Sequence, residues 1–367
     1  MSSSCRNPAL GRLCVNERGK HFLTVGSGSP AALLSGLGTL LACWAAGLTE
    51  FRMMGGVSAG AVITALAHWL KPVELARVIM PINFEDRISF RADLLRLWRK
   101  LSGQEEKVCD NGPDIEEWRI TGLLSTQGIA ACIENSLRMS CTEVKWPKTF
   151  WTMGTTKSGE PVIFKEDGAF LIQSDGQVIR LSEQPPPLQA AVRISCTIPI
   201  VMAALRYKGH FLFDGALSRD GLCPVGIQIR EFGVNPEEII ACYLGDDSND
   251  PFFGSFHTLC RASWGVDTYR YWGAETAGVI ASRPLIEHLH ALKFDLTQDD
   301  KWLAVLLSFE TCLQRLAFEG ILNGERLEKM KELILALGQW RSMNRHCTEP
   351  LGLAAHAEKC MAAYGLF

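Results

Sequence analysis

Ser58 is the residue whose type and setting most directly indicate chemistry. It lies in the pentapeptide Gly56-Val57-Ser58-Ala59-Gly60, between a short apolar run at 51–54 and a helical pattern that begins at Ala61. A G-x-S-x-G segment between a strand and a helix is typical of a nucleophile elbow, a tight turn that exposes the serine hydroxyl. Small residues around the serine let strand and helix approach closely. The alternative is a glycine-rich turn in which Ser58 serves only as an N-cap.

Asp214 is the carboxylate best placed to serve that serine. It follows the apolar run at 207–213 and precedes Gly215 and Ala216. The carboxylate is therefore expected at the end of a strand, in a turn of small residues. Such a group could act as a general base, whereas an ordinary Asp-Gly turn has the same local sequence. Spacing alone leaves both interpretations open.

A third segment, Gly26-Ser27-Gly28-Ser29-Pro30, joins a strand at 21–25 to an apolar helix at 31–47. Backbone N–H groups at a helix N-terminus can hold an anion, including a nucleotide phosphate. The segment is not G-x-G-x-x-G and no acidic residue ends the next strand, which argues against a dinucleotide site. Because the elbow follows, an oxyanion hole facing Ser58 is the simpler interpretation, with Gly26, Ser27, Gly28 and Ser29 as its loop.

Composition restricts the class of protein. With 47% hydrophobic and 21% charged residues, the 367-residue chain can build a sizeable core. Its formal net charge of -3 lacks the basic excess of a nucleic-acid-binding protein, so no nucleic-acid partner is expected. The 13 cysteines include no C-x-x-C pair and indicate reduced core thiols. The spacings of His346-Cys347 and of His356 with Cys360 match no zinc pattern, so no metal or cofactor is predicted.

The organisation of the chain follows from its periodicity. Residues 1–20 form a polar lead-in without the apolar stretch of a signal peptide. The uncharged stretch 30–48 is long enough for a marginal membrane span, but it lies between two predicted strands, which favours a buried helix. Strand and helix patterns continue to about residue 250, and 251–367 is predicted as a helical extension, with helices at 269–282, 285–292, 302–322 and 326–339. We expect a cytoplasmic protein, peripheral at membranes.

Three of these motifs together resemble the patatin-like phospholipases. The family's glycine-rich loop is similar to 26–30, its serine elbow to 56–60, and its aspartate motif to 214–216. The segments 193–199 and 223–225 are similar to its Ser-x-x-x-Pro and proline segments. Order and rough spacing agree across 21–245. The resemblance implies an α/β, three-layer fold over 21–250, with a central, mostly parallel sheet flanked by helices, plus the C-terminal extension.

The resemblance also implies an activity. The chain would be a lipid acyl hydrolase of phospholipase A type, acting on a phospholipid membrane surface without a cofactor. Ser58 would be the nucleophile and Asp214 its base in a dyad without histidine. The sequence does not determine whether the protein needs an activator or forms a homo-oligomer. The loop departs from the family's Gly-Gly-Gly-x-Arg/Lys-Gly, because Ser27, Pro30 and Ala31 replace a glycine, the basic residue and the last glycine, and proline has no N–H to donate.

Two other functions remain open at this stage. One is an α/β-hydrolase with a Ser-Asp-His triad, in which His257, His288 or His290 would follow Asp214 in the required chain order. The other, raised by the altered loop, is a catalytically weak protein of patatin fold that binds a lipid or a partner.

Overall fold

The computed structural model describes residues 8–10, 14–84, 115–118, 122–124, 126, 128–129, 131, 133, 135, 145–218, 222–244, 274–284, 286, 289, 293–343 and 352–367. In chain order the elements are β1 (Phe22–Val25), α1 (Ser29–Ala45), β2 (Met53–Gly56), α2 (Ala59–Leu66), α3 (Pro72–Ile79), β3 (Ile115–Trp118), β4 (Gly122–Leu124), β5 (Phe150–Thr156), β6 (Pro161–Lys165), β7 (Gly168–Ile172), β8 (Val178–Ser182), α4 (Leu188–Ser195), β9 (Ile200–Met202), β10 (Ala204–Tyr207), β11 (His210–Asp214), α5 (Val225–Arg230), β12 (Ile239–Cys242), β13 (Ile280–Ser282), α6 (Gln298–Phe318), α7 (Gly324–Met343) and α8 (Leu353–Ala363).

The main sheet contains 11 strands within the described residues. Strands β13, β12, β1, β2 and β5 are parallel neighbours in that order. Beyond β5 the pairing becomes antiparallel in two branches, one through β11, β10 and β3 and the other through β6, β7 and β8. The sheet branches because β6 occupies one edge of β5, while β2 and β11 share the other.

Both faces of the parallel region are covered, which gives the three layers of the fold. Side chains alternate along β1 and β12, so that Leu23 and Ile240 belong to one buried cluster and Phe22 and Ile239 to the other. The first cluster includes residues of α1, α2, α3 and α6, and the second includes residues of α5. The predicted α/β architecture, with a central mostly parallel sheet flanked by helices, is confirmed.

Helix α1 explains the uncharged stretch at 30–48. Every residue from Pro30 to Cys43 is buried. A helix that is apolar on all sides needs a membrane or a protein interior around it, and here the sheet, α2, α3 and α6 provide the interior. None of the helices in the described ranges combines the length and hydropathy needed to cross a bilayer.

The C-terminal half departs from the predicted helices in two places. Residues 280–282 form β13, which pairs in parallel with β12, whereas the sequence pattern predicted a helix over 269–282. Positions 286 and 289 are not helical, although 285–292 was predicted as a helix. A strand of three residues is too short to show a period of two, so its neighbours determined the helix prediction. The predicted boundary at 250 lies outside the described residues.

Four further described strands, β3, β4, β8 and β9, lie where the sequence predicted no strand. Strand β3 has the sequence Ile-Glu-Glu-Trp, in which Glu116 and Glu117 obscure the alternation that would indicate a strand. It is an edge strand, paired only with β10 among the described residues, where charged side chains are tolerated. Strand β8 is the exposed edge beyond β7 and lacks a continuous apolar run for the same reason.

Candidate active site

Ser58 lies at a sharp turn between β2 and α2. Its backbone has φ 56° and ψ -127°, a left-handed conformation that is uncommon for a residue with a side chain. The turn is close to β1, because a Cβ placed on Gly60 would lie 2.1 Å from the Val25 carbonyl oxygen, and one on Gly56 would lie 2.5 Å from it. Glycine is therefore required at both positions. The geometry is that of a strained elbow with the serine at its tip.

The pairing register of β5 brings Asp214 to this serine. Strand β2 runs along β5 until Gly56 pairs with Thr152, while β11 runs in the opposite direction and ends where Asp214 pairs with Gly154. The two strands therefore end facing each other along one edge of β5. Gly215 follows in close contact, since a Cβ there would lie 2.4 Å from the Met153 carbonyl oxygen and 2.5 Å from the Val57 side chain.

The Asp214 carboxylate is buried, with 3% of the residue exposed. Burial raises its pKa from the usual 3.8 to about 7, because a charge is poorly solvated there. Two hydrogen-bond donors act in the opposite direction: the Ser58 hydroxyl, and the Ala216 backbone N–H at 2.9 Å from Oδ1. A carboxyl group that titrates near neutral pH and accepts a hydrogen bond from a serine hydroxyl has the properties of a general base.

Ser195 is a site residue that the sequence did not single out. It lies at the end of α4, is fully buried, and its Oγ accepts a hydrogen bond of 2.9 Å from the Ser58 backbone N–H. Two residues later, the Thr197 carbonyl accepts a hydrogen bond from the Asp214 N–H at 2.7 Å. The segment 195–197 thus holds both members of the pair. The similarity of 193–199 to a family motif was the available signal, but it assigned no role to Ser195.

Two N–H groups of the glycine-rich loop predicted as an oxyanion hole have hydrogen-bond partners within the fold. The Gly26 N–H donates to the Cys242 carbonyl at 2.9 Å, and the Ser27 N–H donates to the Leu222 carbonyl at 2.6 Å. These two groups are therefore not available to an oxyanion, because they tie the loop to its neighbours. Within the described part of the chain, the N–H groups of Gly28 and Ser29 form no such bond.

The end of the loop has an unusual backbone. Gly28 has φ 142° and Ser29 has φ 53°, and Pro30 lies in the first turn of α1. Ser29 and Pro30 line the same pocket as Ser58, so the start of α1 and the elbow border one space. Proline at the first helical positions costs the helix no hydrogen bond, because the N–H that proline lacks has no partner within the helix.

The space beside Ser58 is an apolar pocket with a cavity volume of about 90 Å³; the surrounding empty space of about 730 Å³ includes open solvent. Helices α1, α2 and α3, the segment 196–202 and Phe294 contribute its walls. The lining residues beyond Ser29, Pro30 and Ser58 are Leu33, Ala59, Val62, Leu66, Ile79, Ile82, Phe84, Ile129, Cys196, Ile198, Met202 and Phe294. Burial, together with the nearby Asp214 charge, raises the pKa of the Cys196 thiol, so this thiol stays protonated at neutral pH and does not compete with Ser58 as nucleophile.

The histidines proposed for a triad, His257, His288 and His290, lie outside the described residues. No histidine of the described ranges lines the pocket that contains Ser58. In the described part of the chain, no three His, Cys, Asp or Glu side chains are grouped so that they could hold a metal ion.

Comparison with known proteins gives one match to a family model. A model described as Patatin-like phospholipase matches residues 23–225, which is more than half of the chain and includes both Ser58 and Asp214. A comparison with curated protein sequences finds no match.

Solved structures were compared as well. The crystal structure of VipD from Legionella pneumophila is 12% identical, with a TM-score of 0.37, covering 94% of this chain and 80% of that one. A structure of human GIVD cytosolic phospholipase A2, in complex with a methyl gamma-linolenyl fluorophosphonate inhibitor and terbium chloride, is 12% identical, with a TM-score of 0.42. This second likeness covers 84% of this chain and 60% of that one.

Proposed function

Because the chain belongs to the patatin-like phospholipase family, we propose that it is a lipid acyl hydrolase that cleaves ester-linked fatty acids from phospholipids at a membrane surface. Ser58 acts as the nucleophile and Asp214 as its base. The observation that carries the proposal is the hydrogen bond between the Ser58 hydroxyl and a buried carboxyl group of raised pKa, beside an apolar pocket that Ser58 lines.

The reaction follows from the roles of these groups. Asp214 accepts the proton of Ser58 as Oγ attacks the ester carbonyl carbon. The N–H groups of Gly28 and Ser29, at the N-terminal end of α1, stabilise the oxyanion. As the tetrahedral intermediate collapses, the alcohol portion leaves with a proton from Asp214 and the acyl group remains on Ser58. Asp214 then takes a proton from a water molecule as the water oxygen attacks the acyl carbon. The bond between that carbon and Ser58 Oγ breaks, Asp214 returns the proton to Oγ, and the fatty acid leaves.

The pocket supports the choice of substrate. Apart from Ser29, Ser58 and Cys196, its lining side chains are aliphatic, aromatic, thioether or proline, so it offers apolar contact to a hydrocarbon chain and no counter-charge to a polar group. An acyl chain bound in it would place its ester carbonyl beside Ser58, which lines the pocket. The glycerophosphate portion of the lipid would remain outside, at the membrane surface.

The test is fatty-acid release from vesicles of defined phospholipids, measured by mass spectrometry for the wild type, Ser58→Ala and Asp214→Asn. We expect both variants to lose at least about a thousandfold in kcat, as is usual when a nucleophile or its base is removed. Ser158→Ala and Asp175→Asn, at exposed positions of two strand-connecting turns, serve as matched controls and should retain wild-type rates.

The outcomes separate the competing functions. Full activity of Ser58→Ala would overturn the site. Activity that survives Asp214→Asn but is lost on replacing His257, His288 or His290 by alanine would favour a Ser-Asp-His esterase. A wild-type protein that binds vesicles and releases no fatty acid would instead be a lipid-binding protein of patatin fold, in which the altered loop no longer supports an oxyanion.

A further inference from the structure

One wall of the apolar pocket is formed by residues that lie far apart in the sequence. Ile79, Ile82 and Phe84, at the end of α3 and just beyond it, line the pocket, and so does Phe294. Phe294 lies outside the residues matched by the family model. The pocket is therefore not built from the family-matching region alone.

Lys301 connects this wall to α6. Its Nζ donates hydrogen bonds to the Met80 carbonyl at 2.9 Å and to the Ile82 carbonyl at 2.8 Å. The ammonium group also lies 5.5 Å from the centre of the Phe84 ring. Gln298, one turn earlier in α6, adds a hydrogen bond of 3.0 Å from Nε2 to the Met80 carbonyl. Two side chains of one helix thus hold the backbone of 80–82.

The burial of Lys301 shows that this arrangement is specific. Only 3% of the residue is exposed, and within the described residues no carboxylate forms an ion pair with it. The nearby Asp300 instead lies 3.7 Å from Lys293 and caps α6 through Thr297. A buried ammonium group is costly unless hydrogen bonds replace its hydration, and here the carbonyls of 80 and 82 supply them. The carbonyl at Met80 is also the C-terminal end of α3, where a cation is favoured.

We propose that Lys301 is a positioning residue for the acyl pocket: by holding the Met80 and Ile82 carbonyls it fixes Ile82 and Phe84, and so sets the length of acyl chain that the enzyme accepts. This inference rests on the proposed function. It makes the start of α6 part of the substrate site, although no atom of Lys301 needs to contact the reacting ester. A lysine that only fastened α6 to the fold would change stability without changing chain-length preference.

The experiment compares kcat and KM for p-nitrophenyl butanoate, octanoate and hexadecanoate. For Lys301→Met we expect a smaller loss on butanoate than on hexadecanoate. The ratio of kcat/KM for hexadecanoate to that for butanoate should fall by about tenfold, the effect of losing the contact of one or two methylene groups. The change should reside in KM. Gln298→Leu removes one of the three hydrogen bonds and should shift the ratio less, in the same direction, while Lys301→Arg should restore part of it.

Lys331→Met, on the exposed side of α7, is the matched control and should leave the ratio unchanged. An equal loss on all three esters, or an unchanged ratio with a lower melting temperature, would overturn the inference. If Lys301→Met does not fold, Gln298→Leu and Lys301→Arg carry the test by the same ratio.

A second measurement separates this inference from the proposed function. Titration of Ser58→Ala with saturated fatty acids of increasing length measures the affinity of the pocket without catalysis. In the double variant that also carries Lys301→Met, the affinity for long acids should fall more than the affinity for short ones. A wild type that is inert on every ester would refute the hydrolase proposal. The binding series would still decide the role of Lys301, since equal affinities with and without Lys301→Met would refute it.

Discussion

At the residue scale, two unfavourable features are concentrated at Ser58 and Asp214. The serine has a positive φ, and the carboxyl group is buried where its charged form is poorly solvated. A strained backbone conformation costs about 1–3 kcal/mol and persists only where the surrounding structure enforces it. Here the close approach of Gly60 to β1 and the hydrogen bond from Ser58 N–H to Ser195 do so. Both features are expected where a reactive side chain must be exposed and its base kept near neutral pKa.

The raised pKa of Asp214 predicts how activity depends on pH. As a base the carboxyl group must be deprotonated, so kcat/KM should rise with pH, reach half its maximum at about 7, and fall about tenfold per unit below that. The measurement is a pH profile on a soluble ester whose own ionisation is constant over the range. A profile that is flat down to about pH 5 would contradict the raised pKa of the base, since it would require an ordinary carboxyl pKa.

The same shift predicts an opposite effect on stability. In the folded protein the pKa of Asp214 lies above its value in the unfolded chain, so the folded state binds the extra proton and loses stability as pH rises from about 4 to 7. Asp214→Asn has no charge to bury. It should therefore raise the free energy of unfolding at about pH 8, by as much as about 4 kcal/mol, while abolishing hydrolysis.

Urea unfolding followed by circular dichroism at about pH 8 and about pH 4 checks this prediction. The gain should shrink to a small remainder at the lower pH, where Asp214 is protonated in the folded protein and roughly half protonated in the unfolded chain. Asp175→Asn, in an exposed turn, should show no such pH-dependent gain. A gain of equal size at both pH values would mean that packing, rather than the buried charge, explains it.

At the element scale, the site depends on how strands end against β5. Strand β2 ends beside Thr152 and β11 ends beside Gly154, so their C-terminal turns meet without either strand displacing the other. Short side chains make this possible. Because Gly56 and Gly60 have no side chain, the turn can approach β1 closely. Gly215 likewise fits between Met153 and Val57. Helix α4 then supplies Ser195, whose hydroxyl satisfies the Ser58 backbone N–H.

Gly60→Ala tests the close approach. Its new Cβ would lie 2.1 Å from the Val25 carbonyl oxygen, a backbone atom that cannot move without disturbing β1. We expect a loss of about 3 kcal/mol in the free energy of unfolding, together with a large loss of activity as the turn opens. Gly338→Ala in α7 is the matched control, since nothing lies within 4 Å of its Cβ. It should gain up to about 1 kcal/mol from helix propensity. Equal effects of the two changes in urea unfolding would contradict the packing argument.

At the scale of the whole molecule, the C-terminal region is packed into the core. Helix α6 crosses α1 where Gly38 allows close contact, and Ser308 hydrogen bonds to the Ser35 carbonyl at 2.7 Å and lies 3.1 Å from the Thr39 hydroxyl. Strand β13 adds to the parallel sheet beside β12. The same helix carries Lys301 to the wall of the pocket. Sheet, core and candidate substrate site therefore all include residues beyond 250.

Gly38→Leu tests that packing. A Cβ at this position would lie 2.3 Å from the Val305 carbonyl oxygen and 2.9 Å from the Ser308 side chain, so a leucine must separate α1 from α6. We expect a loss of about 3 kcal/mol or more in thermal or urea unfolding. Gly338→Leu makes the same change in open space and should alter stability by less than about 1 kcal/mol. If Gly38→Leu were equally mild, α6 would not be tightly packed on α1.

Local patterns predicted much of this protein. The elbow around Ser58, the turn after Asp214 and the buried helix α1 each follow from a short stretch of sequence, because turns, caps and hydrophobic periods are determined by near neighbours. The α/β class followed from the resemblance of three such motifs to those of the patatin-like phospholipases. Prediction was wrong where a strand is very short, as at 280–282, or where edge charges obscure it, as at 115–118.

The sequence by itself determined which residues could react: a serine on a glycine turn, an aspartate at a strand end and a loop before a helix. Only the tertiary structure decided how they combine. The pairing register along β5 brings Ser58 and Asp214 together. The N–H groups of Ser27 and Gly26 donate hydrogen bonds to the carbonyls of Leu222 and Cys242. Burial raises the pKa of Asp214. These outcomes depend on pairing and packing between residues distant in the chain, which local composition does not specify.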